Sequence, residues 1–214
     1  MSDVRTYRGL SARERLTDRK ERLLAAALER FGGQGYTSTT IEMLCTDAKV
    51  STRGFYECFD SRESLLRTLY ERLVREGGAR VCRALDESDG TMPALVRAGL
   101  TAYIGYMTED ARRARIAHVE VRRAGEPLHV ARRAAVQGFA EMISGLTADH
   151  DEPAVPDVRR VAVGLVGAVQ ELLIDWVDRP SRRAAEEVIA TAEYLFLAAF
   201  PPRPAPARPE PARS

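Results

Sequence analysis

From residue 17 to residue 200 the chain is a run of segments whose apolar residues recur three and four positions apart, the spacing that lines one face of an α-helix. The first is carried by Leu23, Leu24, Ala27, Leu28 and Phe31, behind Thr17 as N-cap, and Gly32, Gly33 and Gly35 close it. Ile41, Leu44 and Cys45 set a second face behind Thr39 or Thr40, whose hydroxyl can accept an orphan N–H of the first turn. The pattern breaks at Ala48-Lys49-Val50 and restarts after Ser51, a further N-cap residue, with Phe55 and Phe59 four apart. A fourth helix opens near Ser61 and runs through Leu65, Leu66, Leu69, Tyr70, Leu73 and Val74 to Gly77-Gly78.

Beyond Met92 the character changes. Residues 94–107 are apolar on nearly every face and hold one charge, Arg97, which predicts a buried helix. Residues 110–123 are Arg-rich and read as a partly exposed helix, and Pro127 can open the next one, over 128–146. A loop is expected over 147–157, then helices over 158–177 and 181–200. No stretch alternates with the period of a strand, so the chain is expected to be all-α. Residues 1–16 lack periodicity and read as a flexible arm, 17–61 as a three-helix domain, 62–200 as a second helical domain, and the Pro-rich 201–214 as a disordered tail.

The two short helices over 39–59 have the layout of a helix-turn-helix, which presents the N-terminal residues of its second helix to base edges. With Phe55 and Phe59 turned to the core, Thr52, Arg53 and Tyr56 fall on other faces. Arg53 can pair bidentately with guanine, and Thr52 can touch a base or a thymine methyl.

Residues 50–59 (VSTRGFYECF) and 60–66 (DSRESLL) resemble the DNA-binding domain of TetR-family transcriptional regulators. Those show a Val-Ser, an aromatic-Tyr pair, a Phe three residues after that Tyr, and a basic-acidic pair opening the next helix. The apolar face of the family's first helix is matched by Leu23, Leu24, Ala27, Leu28 and Phe31, and Gly35-Tyr36 and Thr39-Thr40-Ile41 follow as in the family. The likeness covers residues 17–66 well and the remainder in helical layout only. It implies a DNA-facing set of Thr39, Thr40, Ser51, Thr52, Arg53, Tyr56 and Arg62, with Tyr56 and Arg62 on phosphates. Two positions depart: Lys49 stands where the family usually has Gly in the turn, and Cys58 where it often has His.

Net charge is +1, so any nucleic-acid contact rests on local charge. Residues 1–30 supply eight basic against five acidic side chains. The three cysteines (Cys45, Cys58, Cys82) have no metal or redox spacing and, with no signal peptide, fit a reduced cytosol. No apolar run reaches the ~18 residues of a membrane span. His118, His129 and His150 lack ligand spacing, so neither a metal, a cofactor nor a catalytic residue is expected, and the chain does not read as an enzyme.

Two constellations remain in the second domain. Gly164, Gly167 and Ala168 give small residues at i, i+3, i+4, and with Leu172, Tyr194 and Leu197 they suit a two-fold dimer through a four-helix bundle, as the family likeness implies. Tyr103, Tyr106, Met107, Phe139, Met142 and Trp176 are grouped as an apolar ligand site, with His118, Glu120 and Glu171 as candidate polar groups. The chain thus reads as a homodimeric, ligand-responsive regulator, a repressor that binds a palindromic double-stranded DNA operator and is released by a small apolar or aromatic effector. The alternative is a helical protein-interaction adaptor.

Overall fold

A computed structural model describes residues 11–148, 157–179 and 184–201. All described elements are helical. Helix α1 (Ala12–Gly33) starts five residues before the expected Thr17, because Ser11 and Glu14 form a reciprocal capping box. Glu14 N–H donates to the Ser11 hydroxyl at 3.2 Å, and Ser11 N–H donates to the Glu14 carboxylate at 2.6 Å. The Thr17 hydroxyl instead donates back to Arg13 C=O inside the helix. Residues 1–10 of the expected arm, His150 with most of the 147–157 loop, Ser181 and residues 202–214 of the tail lie outside the described residues.

Helix α2 (Ile41–Ala48) is capped by Thr40 and α3 (Thr52–Tyr56) by Ser51, each hydroxyl accepting the N–H three residues on. Lys49 between them sits at φ 53°, ψ 46°, the left-handed geometry that glycine adopts without cost. Phe31, Leu44, Phe55 and Leu65 are fully buried, so α1 to α3 and the start of α4 close one core.

Helix α4 (Arg62–Asp86) does not stop at Gly77-Gly78. A Cβ at Gly77 would lie 3.2 Å from the Tyr103 ring, so this glycine lets α5 (Met92–Glu109) lie close against α4. Residues 110–123 are not one exposed helix. A short α6 (Ala111–Ala114) passes into a π turn (Arg115–Val119) and a 3-10 turn (Glu120–Arg123), with Ile116, His118, Glu120 and Val121 buried. Helices α7 (Glu126–Ala148), α8 (Val158–Asp178) and α9 (Ala185–Ala199) complete the layer, α7 packing on α8 and α9 on α5.

This irregular α6 segment is also where the two parts of the chain meet. A Cβ at Gly32 would come within 2.4 Å of the Arg112 Cβ, and one at Gly125 within 2.8 Å of a Glu63 carboxylate oxygen. Arg112 pairs with both Asp110 and Glu29. Backbone-close packing of this kind leaves little slack between residues 110–125 and helices α1 and α4.

Candidate nucleic-acid interface and ligand cavity

Helix α3 buries Gly54 and Phe55 and exposes the rest. Phe55 is edge-on to Tyr56 at 5.5 Å and packs near Phe59 at 6.1 Å, which fixes the roll of the helix. Thr52 and Arg53 are thereby exposed at its start, and Tyr56 is 54% exposed. Ser51 is also exposed while its hydroxyl caps the helix. Among the described residues the Arg53 side chain pairs with Glu57, at 3.3 Å, and Glu57 is held at 2.5 Å by Arg19 of α1. Arg19 first, and Arg53 second, keep the Glu57 carboxyl below its usual range.

The remaining DNA-facing candidates are placed differently. Thr40 is exposed at the start of α2, but Thr39 is fully buried, its hydroxyl donating to Gly35 C=O at 2.8 Å. Arg62 donates to Thr39 C=O and stacks 4.3 Å over the Tyr36 ring. It therefore clamps the α1–α2 loop to α4 rather than standing free at the helix start. This long-range cation–π contact leaves no trace in local sequence.

A cavity of about 110 Å³ lies among α4, α5, α7, α8 and α9, several times the ~10–15 Å³ one water needs. Tyr103, His118, Phe139 and Met142 line it, together with Tyr70, Gly99, Leu100, Val169 and Phe196, which the sequence pattern did not group with the ligand site. Tyr103 meets Phe139 edge-on at 5.2 Å and His118 at 6.3 Å. Burial, reinforced by Arg122 and Arg132, pushes the His118 imidazole down to about 3, so it is neutral, and its Nε2 is buried without a partner.

Tyr106, Met107, Glu171 and Trp176 do not line this cavity. The Tyr106 ring lies between the guanidinium groups of Arg80 and Arg113 (4.7 and 4.4 Å), and its hydroxyl donates to Glu76 at 2.6 Å. Met107 is fully buried core, Trp176 is buried, and exposed Glu171 accepts from Arg122 at 2.7 Å. Two aromatics three apart share a broad face, yet a turn of roll sends one into the cavity and the other to a charged seam.

Glu120 also leaves the cavity. Its fully buried carboxylate accepts the Tyr36 backbone N–H at 2.8 Å and bonds from Arg115 and Arg123. His118 and Glu120, two residues apart, thus face the cavity and the α1–α2 loop respectively.

On α8 and α9, nothing lies within 4 Å of a Cβ at Gly164 or Gly167. Ala168, Leu172 and Leu197 are half-buried, and Tyr194 is 72% exposed beside exposed Leu195. Among the described residues no cluster of metal-ligating side chains occurs, and no helix is long and apolar enough to cross a membrane.

Residues 23–69 match the family model described as "Bacterial regulatory proteins, tetR family". No curated protein matches the chain in sequence. Among solved structures the chain is similar to the fatty acid degradation regulator FadR of Bacillus halodurans, with 15% identity over 86% of this chain and 97% of that one, at a TM-score of 0.75. It is similar to the FadR regulator of Bacillus subtilis in complex with stearoyl-CoA, with 16% identity over 84% and 98%, at 0.74. A regulatory protein in the tetR family from Rhodococcus RHA1 shows 19% identity over 87% and 98%, at 0.67.

Proposed function

Starting from the premise that this chain carries the helix-turn-helix domain of the TetR family, on an all-α fold shared with regulators of that family, we propose that it is a homodimeric repressor that a small molecule releases from DNA. The observation that carries this reading is the pairing of an outward, partly aromatic α3 with an apolar cavity in the same chain. Thr52 and Arg53 would face base edges in a major groove, with Tyr56 and the exposed Thr40 on the backbone. Arg53 must first leave Glu57, a surface pair of little strength. Two copies joined across the uncovered α8–α9 strip (Gly164, Gly167, Ala168, Leu172, Tyr194 and Leu197) would read a palindrome, its half-sites one helical turn or a multiple apart, ~34–36 Å.

An effector acts only by binding the two states unequally. The cavity offers the means: it touches α4, which leads into the DNA-binding domain, and His118, two residues from the Glu120 contact with that domain. A ligand that displaces His118 would move Glu120 and with it the loop ahead of α2. Gel shifts with fragments of the source genome test the reading. A retarded complex that withstands competitor DNA is expected; weak association abolished by moderate salt would favour an adaptor that uses the α8–α9 strip for another protein.

A further inference from the structure

No charged side chain borders the cavity: among the described residues its lining holds no Asp, Glu, Lys or Arg. Its polar side chains are those of Tyr70, Tyr103, His118, Thr147 and Gln170. His118 stands apart from the others. Its ring is 3% exposed and edge-on to Tyr103 at 6.3 Å, and its Nε2 is buried with no hydrogen-bond partner. Among the described residues one other buried side-chain polar atom lacks a partner, a Glu63 oxygen beside Gly125, and Glu63 does not line the cavity. Buried polar atoms are nearly always satisfied, and the cavity is the adjoining space in which a partner for Nε2 can sit.

Charge decides what that partner is. Burial, with Arg122 and Arg132 adding to it, holds the His118 imidazole neutral, so one ring nitrogen carries a hydrogen and the other a lone pair. A hydroxyl both donates and accepts, so it satisfies Nε2 in either tautomer. An ammonium would meet the positive field of Arg122 and Arg132 with no carboxylate on the cavity wall. A carboxylate would lose its hydration with no cation on the wall to replace it, and Arg122 is engaged by Glu171 at 2.7 Å.

Size limits the rest of the molecule. The volume of about 110 Å³ is of the order of the roughly 150 Å³ of an engineered apolar cavity that takes benzene. That is room for a single ring. Tyr103, Phe139 and Phe196 offer it ring edges and faces, and Met142 a polarizable sulfur.

Resting on the reading of this cavity as the effector site, we propose that its effector is an uncharged molecule of single-ring size bearing one hydroxyl, a monocyclic phenol. The hydroxyl bonds His118 Nε2, and the ring fills the space beside Tyr103 and Phe139.

The test is calorimetric titration of the full-length protein with p-cresol, toluene and p-toluate, which share the tolyl ring and differ in the polar group. The tightest binding is expected for p-cresol, weaker binding for toluene and none for p-toluate at neutral pH. His118→Phe keeps a ring and removes the polar atom. It should weaken p-cresol about two- to tenfold, the loss of one hydrogen bond, and leave toluene unchanged. A Cβ at Gly99 would make only ordinary contact with Leu85 and Val81, at 3.6 and 3.8 Å. Gly99→Leu therefore fills the cavity and should abolish binding of p-cresol and toluene alike.

Equal affinity for p-cresol and toluene, or an equal fall for both in His118→Phe, overturns the proposal by removing the hydroxyl contact. Tighter binding of p-toluate overturns the uncharged class. Binding of p-cresol that Gly99→Leu leaves intact overturns it too, because the ring would then lie elsewhere. Binding of none of the three, by protein that still holds DNA, overturns the single-ring ligand and leaves the cavity to another effector. The effector reading fails separately: p-cresol bound as expected but leaving the retarded DNA complex intact overturns the cavity as effector site while keeping the contact with His118.

Discussion

The buried carboxylate of Glu120 accepts the backbone N–H of Tyr36 at 2.8 Å, across 84 positions of sequence. Gly35, beside it, has φ 95°, where a side chain would be strained, and a Cβ there would lie 3.3 Å from the same carboxylate. The contact joins the loop ahead of α2 to the segment that carries His118, and it is satisfied on both sides by Arg115 and Arg123.

Glu120→Ala would orphan the Tyr36 N–H and release two arginines. Both are at least a third exposed and can turn to water, so the expected loss is the desolvation penalty of the amide, about 1–3 kcal/mol. Glu120→Gln keeps an acceptor and should lose less. Denaturant unfolding of the three proteins checks the order; an alanine variant as stable as the wild type would remove Glu120 from any account of domain coupling.

On α3 the two exposed contacts should separate by role. Arg53→Ala should relax preference at particular base pairs by about 1–3 kcal/mol, while Tyr56→Phe, a lost phosphate contact, should weaken all sequences alike. Binding isotherms on operator and scrambled duplexes read both. If Arg53→Ala leaves the base preference intact, the base-edge assignment goes to another residue.

Gly167→Leu meets open space within its own protomer, so the isolated subunit should keep its helix content. In a close two-fold contact the same side chain overpacks, at about 1–3 kcal/mol. Sedimentation should show a weakened dimer with unchanged circular dichroism; an undisturbed dimer would place the interface away from Gly167.

His118 makes stability depend on pH in a defined direction. Its folded value of about 3 lies below the ordinary 6.5, so the unfolded chain takes up a proton first. The stabilisation is complete above pH 6.5 and is lost as pH falls toward 3, at up to about 1.4 kcal/mol per pH unit. Between pH 6.5 and 5, above the range where most carboxylates titrate, His118→Gln should flatten the slope. Equal slopes for the two proteins would mean that His118 is already solvated in the folded state.

Much of this was legible in local pattern. Phe55 and Phe59 announced the buried side of α3, Ser51 announced its cap, and the cap of α2 was narrowed to Thr39 or Thr40, of which Thr40 fills it. The capping box at Ser11 and Glu14 was equally legible, three residues apart, but Thr17 nearer the first apolar residue drew the boundary inward. What could not be read depended on partners distant in sequence. The placing of Tyr103 in the cavity and Tyr106 between two arginines involves α4, whose Gly77 lies against both rings. The burial of Thr39 and the capture of Arg62 depend on Tyr36. The π turn at Arg115–Val119 breaks helical periodicity, so the opposed directions of His118 and Glu120 could be drawn from their spacing but not their destinations.

Selection of duplexes from a random pool by the full-length protein, sequenced after several rounds, bears most directly on whether this is a dimeric sequence-specific regulator. The account predicts enrichment of an inverted repeat whose half-sites lie one helical turn or a multiple of it apart, ~34–36 Å, with Arg53→Ala relaxing the preference at particular positions within each half-site. A pool that stays random while the folded protein is present would contradict it.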